Sequence, residues 1–219
     1  MNTFQKTSSE IGCEAVLGDF RALAQALGTP EGLGRLATVA LAGSEAGTDL
    51  KRLRAFLFEY QRGALMPVEL GLIREAYTLS ARRAIRELLE LDARSHRCAA
   101  SPEMASASRR IGRRHLAAMR PMRDEKIVQR YLREVEAGRA HGWHTLVYGV
   151  FLALYSLPLR QGLLNYARQT QEGFVLCAVR RGQVTAEEGE GLNRELEETL
   201  PGVLKGLPGL ELRLEILPA

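Results

Sequence analysis

Residues 140–159, AHGWHTLVYGVFLALYSLPL, contain no Asp, Glu, Lys or Arg, in a chain whose charged fraction is 26%. Such a run must be buried, either in a membrane or beneath other helices. About 20 apolar residues are enough to span a bilayer. His141, Gly142, His144, Gly149 and Pro158 interrupt this one, so the apolar part has the length of a buried core helix. The run continues into RQGLLNYARQTQEGFVLCAVR, where Leu163, Tyr166, Thr170, Phe174 and Cys177 recur at helical spacing. Residues 140–180 therefore predict a joined helix pair, the first member apolar on nearly all sides and hence central.

The remaining chain supplies amphipathic helices to cover that pair. Val16, Phe20, Leu23 and Leu27 precede the stop at Gly28, and GLGRLATVALAG reads as a further short helix. Asp49 is placed to cap a helix with Leu50, Leu53, Phe56, Leu57 and Tyr60 on one face. Pro67 suits the first turn of a longer helix through Leu91, with Arg82, Arg83 and Arg86 on its solvated side. Ser101 and Pro102 open another, whose small residues Ala105, Ala107, Ser108 and Gly112 let a neighbour approach closely. Ile127, Val128, Tyr131, Leu132 and Val135 form the apolar face of a surface helix ending at Gly138. Thr185 and Glu188 make a capping box for a helix to about Glu198. Leu210, Leu212, Leu214 and Ile216 alternate with charges and suggest an extended tail over 200–219. The fold class is thus all-α: one domain over 1–219, a bundle of roughly eight to ten helices around the apolar pair.

Chemistry is harder to find. Cys13, Cys98 and Cys177 are widely separated, with no Cys-x-x-Cys, so neither a thiolate zinc site nor a disulfide framework is expected. The first residues lack the apolar core of a signal peptide, and a cytoplasmic location is expected. His141 and His144 would share a face if both were helical and would then offer two metal ligands. No carboxylate or cysteine lies near them in sequence, so a capping or hydrogen-bonded role is expected instead. Neither a phosphate-binding Gly-Lys-Ser/Thr loop nor a Gly-x-Ser-x-Gly elbow is present, and no nucleophile can be named. The densest positive charge is Arg109, Arg110, Arg113, Arg114 and Arg120. It reads as a solvated face, a phosphate site or a surface for an acidic partner, and a basic helical regulatory or nucleic-acid-binding module is the alternative reading.

Three stretches resemble the F-type urease accessory proteins (UreF): SPEMASASRRIGRRHLAAM, HTLVYGVFLALYSLPLRQGLLNYARQT and FVLCAVRRGQVTAEEGEGL. The resemblance covers residues 54–196. It places Arg109, Gly112, His144, Tyr148, Gly149, Tyr166 and Arg180 at family-signature or partner-binding positions. Arg181-Gly182-Gln183 stands in for the family's longer Leu-x-Pro-Leu-Gly-Gln segment, and Gly32-Leu33-Gly34 is what remains of its N-terminal signature. The implied protein is a divergent or shortened all-α scaffold, not an enzyme. It would form a homodimer, bind the D/H-type urease accessory protein, and recruit the G-type accessory GTPase to the urease apoprotein. Nickel would be handled by those partners, with no cofactor bound directly, no nucleic acid and no membrane.

Overall fold

The computed structural model describes residues 49–98 and 102–205, and throughout these residues the chain is helical or turn, with no strand among them. The segments before Asp49 and after Lys205, including the expected helices near Val16 and Leu36 and the alternating tail, lie outside the described residues, as does the Ser101 cap.

Helix α1 (Leu50–Tyr60) begins where Asp49 accepts a hydrogen bond from the Arg52 amide at 2.9 Å. It does not end at a loop. A π-helical segment (Gln61–Glu69) carries it directly into α2 (Leu70–Ala81), making one rod. Pro67 is thus in the helix interior rather than at a new start. A proline ring clashes with the carbonyl four residues back and offers no N–H. Winding wider relieves both problems, and the Leu70 amide bonds to the Leu65 carbonyl, five residues back.

The helix expected to continue to Leu91 breaks instead at Arg83, whose φ of 57° lies in the left-handed region. Helix α3 (Ile85–Arg94) then runs into a 3₁₀ turn (Ser95–Cys98). Helix α4 (Pro102–Ala118) opens on its proline as expected, and α5 (Lys126–Glu136) buries Ile127, Val128, Tyr131, Leu132 and Val135. The charge-free run yields α6 (His144–Leu154), followed by α7 (Leu159–Arg180). Thr185 and Glu188 form the reciprocal capping box: the Thr185 amide donates to Glu188 Oε2 at 2.7 Å, and the Glu188 amide to Thr185 Oγ1 at 3.2 Å. Helix α8 (Ala186–Lys205) passes the expected stop near Glu198 and continues through Pro201. With the π-centred rod counted once, these are seven helices among the described residues, slightly fewer than expected.

Burial of α6 organises the bundle. All residues from His144 to Leu152 are buried. Its main neighbour is α2, with α4 next, and α7 leans chiefly on α8. The closeness of α2 and α6 has a specific cause: a Cβ at Gly149 would lie 2.4 Å from the Ile73 carbonyl oxygen and 2.8 Å from Ala76 Cβ. Only glycine lets the two backbones meet so tightly. A second apolar cluster, with Leu53, Leu57, Phe174, Val175, Ala178, Leu192 and Leu196, joins α1, α7 and α8. Helix α7 enters both clusters, Leu163, Tyr166 and Ala167 in the first and Phe174 to Ala178 in the second. The buried polar residues Gln169, Thr170 and Gln171 lie between.

Gly149→Ala is expected to destabilise the protein by about 1–3 kcal/mol, because its methyl must displace backbone rather than a flexible side chain. Gly191 in α8 has no atom within 4 Å of its virtual Cβ, so Gly191→Ala should stabilise by about 0.5–1 kcal/mol. Urea denaturation of the two variants checks both signs, and equal midpoints would contradict the close-packing account.

Candidate functional site

Most of the positions singled out in the sequence meet at the N-terminal end of α6. The loop before it turns at Gly138 and Gly142, with φ of 72° and 70°. Asp92 on α3, with 0% exposure, holds that loop. Its carboxylate accepts from the amides of His141 (2.6 Å) and Gly142 (2.9 Å) and from the Tyr131 hydroxyl (2.5 Å). Its backbone carbonyl accepts from Trp143 Nε1 at 2.9 Å. Burial, then the nearby Asp92 charge, pushes the Tyr131 hydroxyl well above its ordinary pKa. From the other side α4 presses Gly112 onto the loop, where a Cβ would sit 2.1 Å from the Gly142 carbonyl oxygen. The Arg109 guanidinium lies 5.5 Å from the centre of the Trp143 ring, and Arg113 Nε donates to the His141 carbonyl at 3.0 Å. Part of the arginine cluster is therefore used to clamp this loop.

Inside the loop a partly buried polar chain begins at Ser108 on α4. Ser108 Oγ is 3.0 Å from His144 Nδ1, and His144 Nε2 is 2.7 Å from the Tyr166 hydroxyl. Tyr166 donates to Glu69 Oε2 at 2.7 Å, and Tyr60 donates to Glu69 Oε1 at 2.7 Å. The protons can be assigned by counting donors. Each tyrosine has one hydrogen, and with Glu69 ionised both are directed at its carboxylate. His144 must then donate from Nε2 to the Tyr166 oxygen, and as a neutral imidazole it accepts at Nδ1 from Ser108. Its environment favours the same state: burial, followed by the charge of His115, lowers the His144 pKa to about 3. Burial raises the Glu69 pKa, opposed by the two tyrosine hydrogen bonds. Both tyrosine hydroxyls are pushed well above their ordinary pKa, mainly by burial.

The π segment makes this chain possible. Tyr60 and Glu69 are nine residues apart. In an α-helix nine residues are about 2.5 turns, which places the two side chains on opposite faces. The i→i+5 winding has roughly 4.4 residues per turn, so nine residues make close to two turns and both side chains face the same way. Local winding thereby brings a carboxylate into reach of Tyr60, Tyr166 and, through Tyr166, His144.

Tyr148 packs edge-on against Tyr166, ring centres 5.1 Å apart, and its hydroxyl donates to the Gly162 carbonyl at 3.1 Å. Arg180 is separate. It is exposed at the C-terminal end of α7, 14 residues beyond Tyr166 and hence about 21 Å along the helix. His141 and His144 do not share a helical face, because His141 lies in the loop before α6 and packs against Trp143 at 5.3 Å between ring centres. Both His144 ring nitrogens face hydrogen-bond partners, the role expected over metal ligation. Among the described residues, no three His, Cys, Asp or Glu side chains are grouped so as to hold a metal ion, and no helix is long and apolar enough to cross a membrane.

Sequence reasoning missed Asp92 and Glu69, and read Ser108 only as a small residue. For Asp92 a signal existed, since it follows Leu88 and Leu91 on the buried stripe of α3. For Glu69 there was none, because helical spacing of 3.6 points it away from Tyr60.

The arrangement is thus a hydrogen-bond assembly at the crossing of four helices, with His144 and Tyr166 among its members. The UreF family model matches residues 47–197, which take in the π-centred rod, the clamp and the buried chain. The chain belongs to the UreF family. No curated protein matches it. UreF proteins are accessory proteins of urease maturation rather than catalysts, and the buried chain accords with a scaffold: His144, Tyr148, Gly149, Tyr166 and Gly112 are all buried and set helix positions from within.

The depressed pKa of His144 sets a pH dependence. A group whose folded pKa lies below its unfolded value, here about 3 against 6.5, favours folding above pH 6.5, and that contribution is lost as pH falls toward 3. Glu69, with its pKa raised, has the opposite sign: its contribution is present below its model value of 4.5 and is lost as pH rises through the folded pKa. Chemical denaturation of the wild type at pH 6.5 and 5 should show a loss of up to about 1.4 kcal/mol per pH unit from His144. His144→Gln, less stable at pH 6.5, should show a shallower slope over that interval. Parallel slopes would mean that His144 is not held neutral.

Glu69→Ala removes the acceptor that both tyrosine hydroxyls share and is expected to cost about 1–3 kcal/mol. Tyr60→Phe should cost only about 1 kcal/mol, since it removes a donor and leaves the carboxylate bonded to Tyr166. Thermal unfolding ranks the two variants, and the reverse order would contradict the assigned donors.

Proposed function

We propose that this UreF-family chain is a non-enzymatic scaffold for nickel insertion into urease, acting in the cytoplasm as a homodimer. It binds the D/H-type accessory protein, recruits the G-type GTPase to the urease apoprotein, and influences when GTP is hydrolysed. Nickel is carried by the partners, and the chain itself holds no cofactor. The observation that supports this most is the family match over residues 47–197, which takes in most of the described helices.

The physical character of the bundle suits the task. A scaffold that places a GTPase must present its surface without changing shape, which requires helices fixed from within. The glycine contacts and the Asp92 clamp provide that fixity, and charged side chains such as Arg110, Arg114, Arg123 and Arg180 remain exposed for contact. Buried anchors set affinity in such interfaces, while charges orient the encounter.

Affinity capture of the purified chain with the D/H-type and G-type proteins of the same organism tests the reading, followed by measurement of GTP hydrolysis. Stable capture of the D/H-type protein and a changed hydrolysis rate in the ternary complex are expected, together with a sedimentation mass of two chains. Capture of neither partner, with urease activation unaffected by deletion of the gene, would refute it.

A further inference from the structure

Charge is unevenly distributed along the bundle. Residues 102–139, comprising α4, the following turn and α5, carry ten Lys+Arg and five Asp+Glu, a net of +5. The whole chain is +4, so everything else sums to −1. Several of these cations are already engaged. Arg109 lies over Trp143, Arg113 donates to the loop, Arg120 pairs with Glu136 and Arg139 with Glu134. Arg110 and Arg114 are exposed, one helical turn apart on the outer face of α4, and Arg123 is exposed in the turn beyond it.

An apolar feature lies beside that turn. Tyr155, at the C-terminal end of α6, is 37% exposed and is the one exposed large hydrophobic side chain among the described residues. It is not loose. Its ring stacks on Phe151 at 6.1 Å between centres, and its hydroxyl lies 3.7 Å from Met122 Sδ in the α4–α5 turn. Aromatic residues, Met and Arg are the side chains over-represented where proteins bind one another, and a pre-ordered aromatic costs little entropy on docking.

We propose that the outer face of α4, from Arg110 through Arg114 to the turn holding Met122 and the Tyr155 ring beside it, is a docking surface for an acidic protein partner. This rests on the scaffold reading above and adds to it which face of the bundle engages an accessory protein. Charge complementarity selects the occupant. A second copy would bring the same positive face and be repelled. A nucleic-acid backbone would meet Asp124, Glu134 and Glu136 among the cations, with Tyr155 alone available for stacking. Discrete carboxylates on a folded surface fit separated guanidinium groups better, since each pair can be bidentate.

Binding of the full chain to each accessory protein, measured kinetically at several salt concentrations, tests the surface. Arg110→Glu with Arg114→Glu is expected to slow association and weaken binding to one partner by more than about tenfold, with a flatter salt dependence. Tyr155→Ala should speed dissociation with little change in association rate. Arg82→Glu with Arg86→Glu, the same charge change on the α2–α3 turn, should leave affinity within about twofold. Circular dichroism establishes that each variant is folded. If wild type binds a partner and the α4 reversal binds as tightly, the docking surface is wrong and the scaffold reading stands. If wild type binds neither partner, both are wrong. Gel-shift binding of duplex DNA or RNA that the α4 reversal abolishes, with partner binding unchanged, would assign the face to nucleic acid and overturn the proposal.

Discussion

The bundle depends on one buried carboxylate. Asp92 gathers the Tyr131 hydroxyl, two loop amides and the Trp143 indole at a single residue of α3, and so determines where the chain enters α6. A carboxylate withdrawn from water is costly unless its oxygens are satisfied. Here the satisfaction comes from a loop that would otherwise bury unpaired N–H groups, so each side resolves the other's desolvation. Displacing the loop would misplace the first turn of α6, and with it His144, whose amide and ring both address Ser108.

From that fixed entry the apolar helix can be placed to atomic tolerance. Gly112 and Gly149 sit at the two crossings of α6 and its leading loop with α4 and α2, and at each a single methyl would overlap backbone. Such contacts have no slack. They explain why the most apolar helix packs most against α2, distant in sequence, rather than against the α7 that follows it. They also make α2, α4 and α6 behave as one body, to which α1 and α8 attach through the second cluster and the Gln61–Thr199 hydrogen bond of 2.8 Å.

What the sequence made legible follows from which forces are local. Helical periodicity located α1 and α4 to α8 because burial repeats every turn, and Asp49, Pro102 and the Thr185–Glu188 box were readable because capping acts within four residues. The break at Arg83 was not, since nothing nearby in sequence announces a left-handed arginine. Pro67 misled for a physical reason: the penalty for proline inside a helix holds for α winding, and the chain escaped it by winding wider. The same escape hid Glu69 from a reading at 3.6 residues per turn. His144 and Tyr166 were singled out individually, but their joining through a serine 36 residues away and a glutamate 97 residues away is a property of the packed bundle.

The division between interior and surface bears on function. Tyr60, Glu69, Tyr166, His144 and Ser108 resemble a proton relay in composition, yet burial holds His144 neutral, with its pKa near 3, and keeps both tyrosines protonated. A base with so low a pKa is a poor proton acceptor near neutrality. Its chemistry is consumed in fixing helix angles. On the proposed docking surface a partner would meet exposed side chains: the guanidinium groups of α4 and the Tyr155 ring stacked on Phe151. Rigidity inside lowers the entropy lost when such a surface docks.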